Sequence, residues 1–231
     1  MRVQGAMNPT LLKILQSRED ISDYVFHFTK HQNAKETLKS ILEQERIKDI
    51  NHNGYICFSE SPLPLLPSMF KIFKNYNNPM YAPFGIGVRK DIFWKNGGRP
   101  VIYGDREEGE LLCPDLKWRF QILRPNDYDF SWLREWRIPV SELNISDLNC
   151  FVIVEKIEDI ESLYHLIFDL DDIEIDAQPE DGICHASYLG YFSRKYKIVS
   201  MEEIEQLNNI SKTDLAKILQ EQSDDDARYL Q

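Results

Sequence analysis

Segment 149–157 reads NCFVIVEKI, with five consecutive apolar residues from Cys150 to Val154. A short run of this kind, β-branched at its centre and closed by charge, reads as a fully buried strand. Four more runs have strand character: YVFHFT (24–29), YICFSES (55–61), GIGVRKDIF (85–93) and RPVIYG (99–104). Segment 129–140, DFSWLREWRIPV, reads as a loop running into a strand, and FDLDDIEID (168–176) as an acidic strand or loop. The clearest helix is HQNAKETLKSILEQERI (31–47). Asn33 is its expected N-cap, Glu36 makes a capping-box-like start, and Leu38, Ile41 and Leu42 form one apolar stripe. Shorter helices are expected at 8–16, from residue 69, within 105–123, over 157–167 and at the C-terminus, where Ser200 and Ser211 are the N-caps. PLPLLPS (62–68) is expected to hold no regular element, because three prolines remove donors and fix φ. A helical opening, a strand-rich middle and a helical close make an α+β fold, not a repeating βα wind. The expected division is a main domain over 1–200 and a C-terminal helical extension and tail over 201–231.

The 231 residues carry a formal net charge of −11, which excludes a general nucleic-acid sponge. The average hides an asymmetry. Residues 68–137 hold twelve Lys/Arg against nine Asp/Glu, whereas residues 141–181 hold thirteen acids and one base, Lys156. A polyanionic ligand would meet the middle of the chain first, and the acidic stretch reads as a solvated face or a dock for a basic partner. None of the four cysteines, at 57, 113, 150 and 184, forms a CxxC pair or a zinc spacing. Cys57 and Cys150 lie in apolar runs, where a thiol behaves as a small hydrophobe. Reduced cysteines, no apolar signal core in MRVQGAMNPT and no run of about 18 apolar residues lead us to expect a cytoplasmic chain without a membrane span. FGIGVRK lacks the third glycine and the strand-to-helix context of a dinucleotide turn. P-loop, HExxH and GxSxG motifs are absent from the sequence.

Three polar intrusions stand out on the strand-like runs: His27 with Thr29, Ser59 with Glu60, and Glu135. Alternation puts His27 and Thr29 on one face of their strand. It sets Tyr55, Cys57 and Ser59 on one side of theirs, with Ile56 and Phe58 on the other. YVFHFT followed by a helix, then YICFSES, then the glutamate of REWR, resembles the three-strand signature of ADP-ribosyltransferase-fold proteins. The likeness is greatest to DarT-like nucleic-acid ADP-ribosyltransferases and abortive phage-infection proteins of the AbiG type, and it spans residues 24–140. It implies a split sheet with helices and NAD as substrate. Glu135 would stabilise the oxocarbenium-like state reached as the nicotinamide–ribose bond breaks. His27 and Thr29 would hydrogen-bond the bound NAD, Phe58 would stack on nicotinamide, Ser59 would stand at the strand-two position, and Arg134 and Arg137 would hold pyrophosphate oxygens or the acceptor. Phe58 stands where many relatives place tyrosine. Leu133 stands where a second acidic or amide residue selects protein acceptors, so protein-arginine modification is disfavoured.

The implied function is mono-ADP-ribosyl transfer by a toxin or phage-defence effector. The acceptor is a macromolecule, and the basic segment with its interleaved aromatics permits DNA or RNA. The rivals are a non-catalytic antitoxin or immunity protein on the same scaffold, partnered by a toxin or phage protein, and a plain NAD glycohydrolase. Each residue also has a plainer reading: His27 as a structural histidine, Glu135 as the ion-pair partner of Arg134 or Arg137, Ser59 as a strand-end cap and Phe58 as core.

Overall fold

In the computed structural model the described residues are 20–125, 127, 129–180 and 183–207, with 18, 211, 214 and 217 as isolated positions. The expected helix at 8–16, nearly all of the C-terminal helix after Ser211 and the tail lie outside them. The elements in chain order are β1 (Tyr24–Phe28), α1 (Ala34–Gln44), β2 (Arg46–Lys48), β3 (Ile56–Ser59), α2 (Leu66–Phe73), β4 (Gly85–Arg89), α3 (Lys90–Lys95), β5 (Arg99–Pro100) and β6 (Ile102–Gly104). They continue with α4 (Arg106–Leu111), β7 (Phe120–Ile122), β8 (Glu135–Ile138), β9 (Glu142–Asn144), β10 (Phe151–Val154), α5 (Tyr164–Ile167), β11 (Phe168–Glu180), β12 (Ile183–Arg194), β13 (Lys197–Ser200) and α6 (Met201–Gln206).

The architecture is α+β, built on one seven-stranded mixed sheet of order β13-β10-β4-β1-β3-β8-β5. Only β10 and β13 run parallel within it. β10 shows why both faces must be covered. Val152 and Val154 enter one core, with Val25, Ile56, Phe58, Ile86, Val88 and the α1 stripe of Ala34, Leu38, Ile41 and Leu42. Phe151 and Ile153 enter a second core on the other face, with Phe26, Phe28, Leu66 and Phe70 of α2, and Met201 and Ile204 of α6. The first residues past 200 are therefore packed into the sheet.

Local expectations meet this frame unevenly. Ser200 caps α6 with a full capping box to Glu203, and Asp214 donates its N–H to Ser211 Oγ at 3.3 Å. Asn33 occupies the N-cap position of α1, but its side chain makes no cap bond there, so the expected capping box is not formed. GIGVRKDIF does not stay extended: β4 ends at Arg89 and α3 begins at Lys90. Segment 157–167 is a 3₁₀ stretch, Ile157–Leu163, running into α5. The two glycines of GIG serve close approach. A Cβ on Gly85 would stand 2.4 Å from the His27 carbonyl, and one on Gly87 2.3 Å from the Phe151 ring. Acidic β11 pairs along its length with β12 as a two-stranded ribbon. Among the described residues no helix is long and apolar enough to cross a membrane.

Candidate functional site

The ladder between β3 and β8 decides which side chains meet. Ser59 lies opposite Glu135, Phe58 opposite Trp136, Cys57 opposite Arg137 and Ile56 opposite Ile138. Residues opposite each other in an antiparallel pair share a face. Cys57, Ser59, Glu135 and Arg137 therefore face one way, and Ile56, Phe58 and Ile138 the other, into the α1 core. The backbone turns sharply just before Glu135. A 3₁₀ turn over Ser131–Leu133 ends in Arg134, held in the left-handed region at φ 45°. Strain of this kind needs fixed surroundings. They are provided by Ser59, whose hydroxyl donates to the Leu133 carbonyl at 2.7 Å, and by Glu60, whose N–H is shared between the Leu133 and Arg134 carbonyls.

Glu135 is a nearly buried carboxylate, with 11% of its side chain exposed, and it accepts from Arg137 Nε at 2.8 Å. Arg137 is deeper still. Its Nη1 donates to the carbonyls of Trp118 (3.0 Å) and Phe120 (2.8 Å), its Nη2 donates to Gln121 Oε1 (2.7 Å), and its guanidinium carbon lies 4.4 Å from the centre of the Tyr55 ring. Four of its five N–H donors are thus engaged. The Glu135 N–H donates to the Tyr103 hydroxyl, which donates to the Phe130 carbonyl, each at 3.3 Å. Cys57 is exposed as a residue, and its thiol shares the face of Glu135. Burial first and that carboxylate second push it up to about 12, so it is an unreactive thiol. Burial also raises the Tyr81 phenol, with Glu135 the next cause, and the phenols of Tyr55 and Tyr103 are raised chiefly by burial. Tyr81 packs edge-on to Phe73 and Trp132 at 5.7 and 6.4 Å between ring centres. The result is a nearly buried carboxylate among phenols, paired with a guanidinium that lies deeper still.

The expected residues divide between the two faces. His27 and Thr29 share a face, as alternation requires, but it is the face of Phe58 and not that of Glu135. Phe26 pairs with Ser59, which places β1's odd-numbered side chains opposite the carboxylate. His27 Nδ1 donates to the Cys57 carbonyl at 2.9 Å, and its ring lies 5.5 Å from Phe58. Burial lowers its pKa, so the ring is held neutral. Cys57 lies between the two expected residues: its carbonyl accepts from His27, and its side chain shares the face of Glu135. Thr29 is buried, and its hydroxyl proton is committed to the Phe84 carbonyl at 2.9 Å. Phe58 is 2% exposed and packs at a tilt against Phe93, 4.5 Å between ring centres, so no ring could slide against it. Ser59 is 5% exposed and joins Leu133 and Ser61. Arg134 bonds the carbonyl and carboxylate of Asp20. Of the seven expected residues, Glu135 and Arg137 lie together as an ion pair, and Arg137 is occupied as an anchor. The pyrophosphate role read for it conflicts with its engaged donors.

Sequence reasoning missed Tyr81 and Tyr103, and read Cys57 as a small hydrophobe. Alternation in YICFSES was the available signal for Cys57. Tyr81 had none, because it comes near Glu135 from an irregular loop. Among the described residues no group of three or more His, Cys, Asp or Glu is placed to hold a metal ion. No family model, no curated protein and no solved structure matches this chain.

Proposed function

We propose that the chain transfers ADP-ribose from NAD to a macromolecular acceptor, with Glu135 as the residue that stabilises the departing nicotinamide's oxocarbenium-like ribose. The observation that carries this reading is the state of Glu135. It is a carboxylate at a strand start, 11% exposed, walled by phenols and fixed by Arg137. A preorganised negative charge in poorly hydrated surroundings acts most strongly where positive charge develops. It needs no reorientation as the bond breaks, because Arg137 Nε already holds it. In this reading Tyr81 and Trp132, not Phe58, are the faces offered to the nicotinamide ring. His27 acts through Cys57 as a positioning residue. The ADP-ribosyltransferase-type fold, the toxin or phage-defence setting, a cytoplasmic location and a nucleic-acid acceptor are parts of the same proposal. The test is mass spectrometry of nucleic acid and protein after incubation with labelled NAD. Labelled acceptor that disappears with Glu135→Gln supports transfer. Free ADP-ribose alone would mean hydrolysis, and intact NAD would reject the reading.

A second reading, a non-catalytic antitoxin or immunity protein, is favoured by the ribbon. Asp169, Leu170, Asp171, Asp172, Ile173 and Glu174 are all exposed in succession, a surface suited to a basic partner. Expression of the chain alone separates the two. Toxicity relieved by Glu135→Gln belongs to the enzyme, and harmless expression with tight binding of a basic partner belongs to the rival.

A further inference from the structure

We propose that the outer edge of β12 pairs with the same edge of a second copy of this chain, antiparallel across a two-fold axis. The two strands of the ribbon are built differently. β11 (Phe168–Glu180) carries six acids and no base, holds a proline at 179, and bulges between Leu170 and Asp172. β12 (Ile183–Arg194) has no acid and no proline, and its single Lys or Arg is its last residue. Charge, proline and bulges are the devices that keep an exposed strand edge from recruiting another strand. β11 has all three, and β12 up to Ser193 has none.

The ladder shows which N–H groups are at stake. In an antiparallel pair, directly opposed residues both bond inward or both point outward, in alternation. Proline has no N–H to give a ladder, so Pro179, opposite Cys184, belongs to the outward set. Past the bulge the outward positions are therefore 173, 175, 177 and 179 on β11, and 190, 188, 186 and 184 opposite them on β12. On β11 the Ile173 N–H already donates to the Asp172 carboxylate at 2.8 Å, so with Pro179 two of its four positions offer no donor. On β12 all four residues carry an N–H, and among the described residues no third strand pairs with the ribbon. A two-stranded ribbon is marginal in water, and added strands steady it. Joining two β12 edges makes four strands in the order β11-β12-β12-β11. The acidic strands then lie outermost, three strand spacings or about 14 Å apart, beyond the screening length of about 8 Å at physiological salt. Joining two β11 edges would set six acids against six, and like charges opposed across a ladder destabilise it. A basic strand from another protein would have to add to β11, whose edge is the guarded one.

The opposed pair Ala177 and Ala186 gives matched variants. Both stand at outward positions, so proline at either leaves the β11–β12 bonds their donors and blocks one outer edge. Sedimentation of the full chain over a dilution series reads the result, with circular dichroism as the check on folding. We expect wild type and Ala177→Pro to be dimers that dissociate on dilution, and Ala186→Pro to be a monomer throughout. Amide hydrogen exchange on wild type needs no substitution. The N–H groups of residues 184, 186 and 188 should be protected in concentrated solution and lose that protection on dilution, while those of 175 and 177 exchange freely at both concentrations. A wild type that is monomeric at millimolar concentration overturns the proposal, and so does an Ala186→Pro that still dimerises. If both proline variants are monomers, the exchange pattern decides. Protection confined to the outward N–H groups of β12 upholds the pairing, and protection of β11 or of neither edge rejects it.

Discussion

Replacing Arg137 with methionine should be among the most damaging single changes in this chain. Methionine keeps an unbranched stem of similar reach and removes the whole fork. Glu135, with 11% of its side chain exposed, then loses its guanidinium partner. A buried ion stripped of its partner costs about 3–5 kcal/mol. The carbonyls of Trp118 and Phe120 and the amide oxygen of Gln121 each lose a donor. Those groups belong to half-buried residues and can partly rehydrate, so about 1 kcal/mol each is the apt figure. The sum is about 6–8 kcal/mol, against total stabilities of about 5–15 kcal/mol for folded domains. With a urea slope of about 2–3 kcal/mol/M for a chain of this size, the midpoint should fall by about 2 M or more. The double variant Glu135→Gln, Arg137→Met should recover about half of the loss, because no charge is then stranded. A loss under about 1 kcal/mol for Arg137→Met would refute the anchoring role and the geometry built on it.

Glu135→Gln alone keeps the shape and an acceptor for Arg137 Nε. It should cost about 1–3 kcal/mol of stability and lower ADP-ribosyl transfer about a hundred- to a thousandfold with little change in NAD binding. Transfer at the wild-type rate would reduce Glu135 to an ion-pair partner. His27 should make folding stability depend on pH. Its folded pKa lies below its unfolded value of about 6.5, so the unfolded chain takes up the proton first and stability falls as pH drops below about 6.5 towards the folded value. In His27→Gln, denaturant melts between pH 7 and pH 5 should show a shallower decline; an identical slope would show that His27 is not held neutral. Gly87→Ala sets a methyl 2.3 Å from the Phe151 ring in the middle of the sheet. It should destabilise by about 1–3 kcal/mol through overpacking, read as a lowered thermal midpoint.

What could be read from the sequence followed from short-range physics. Cys150–Val154 is apolar on both sides because β10 feeds two cores, and that is visible in five residues. The α1 stripe at 38, 41 and 42 follows from helical period, and Ser200 caps its helix because a hydroxyl and a glutamate three residues on satisfy free N–H groups locally. The glutamate of REWR was legible as a charge out of place on a strand. Tertiary structure decided the rest. Whether His27 and Glu135 share a face depends on the register of β1 with β3 and of β3 with β8, and one pairing, Phe26 with Ser59, puts them on opposite faces. A shift by one residue would have brought them together, and no local pattern encodes that choice. Arg137 could have reached outward for a ligand, but the carbonyls at 118 and 120 arrive beneath it from a segment 16 to 19 residues away in sequence. Tyr81 and Tyr103 come to Glu135 from two separate parts of the chain. Their convergence is a property of how the sheet is ordered, because side chains distant in sequence meet only when the backbone between them has closed.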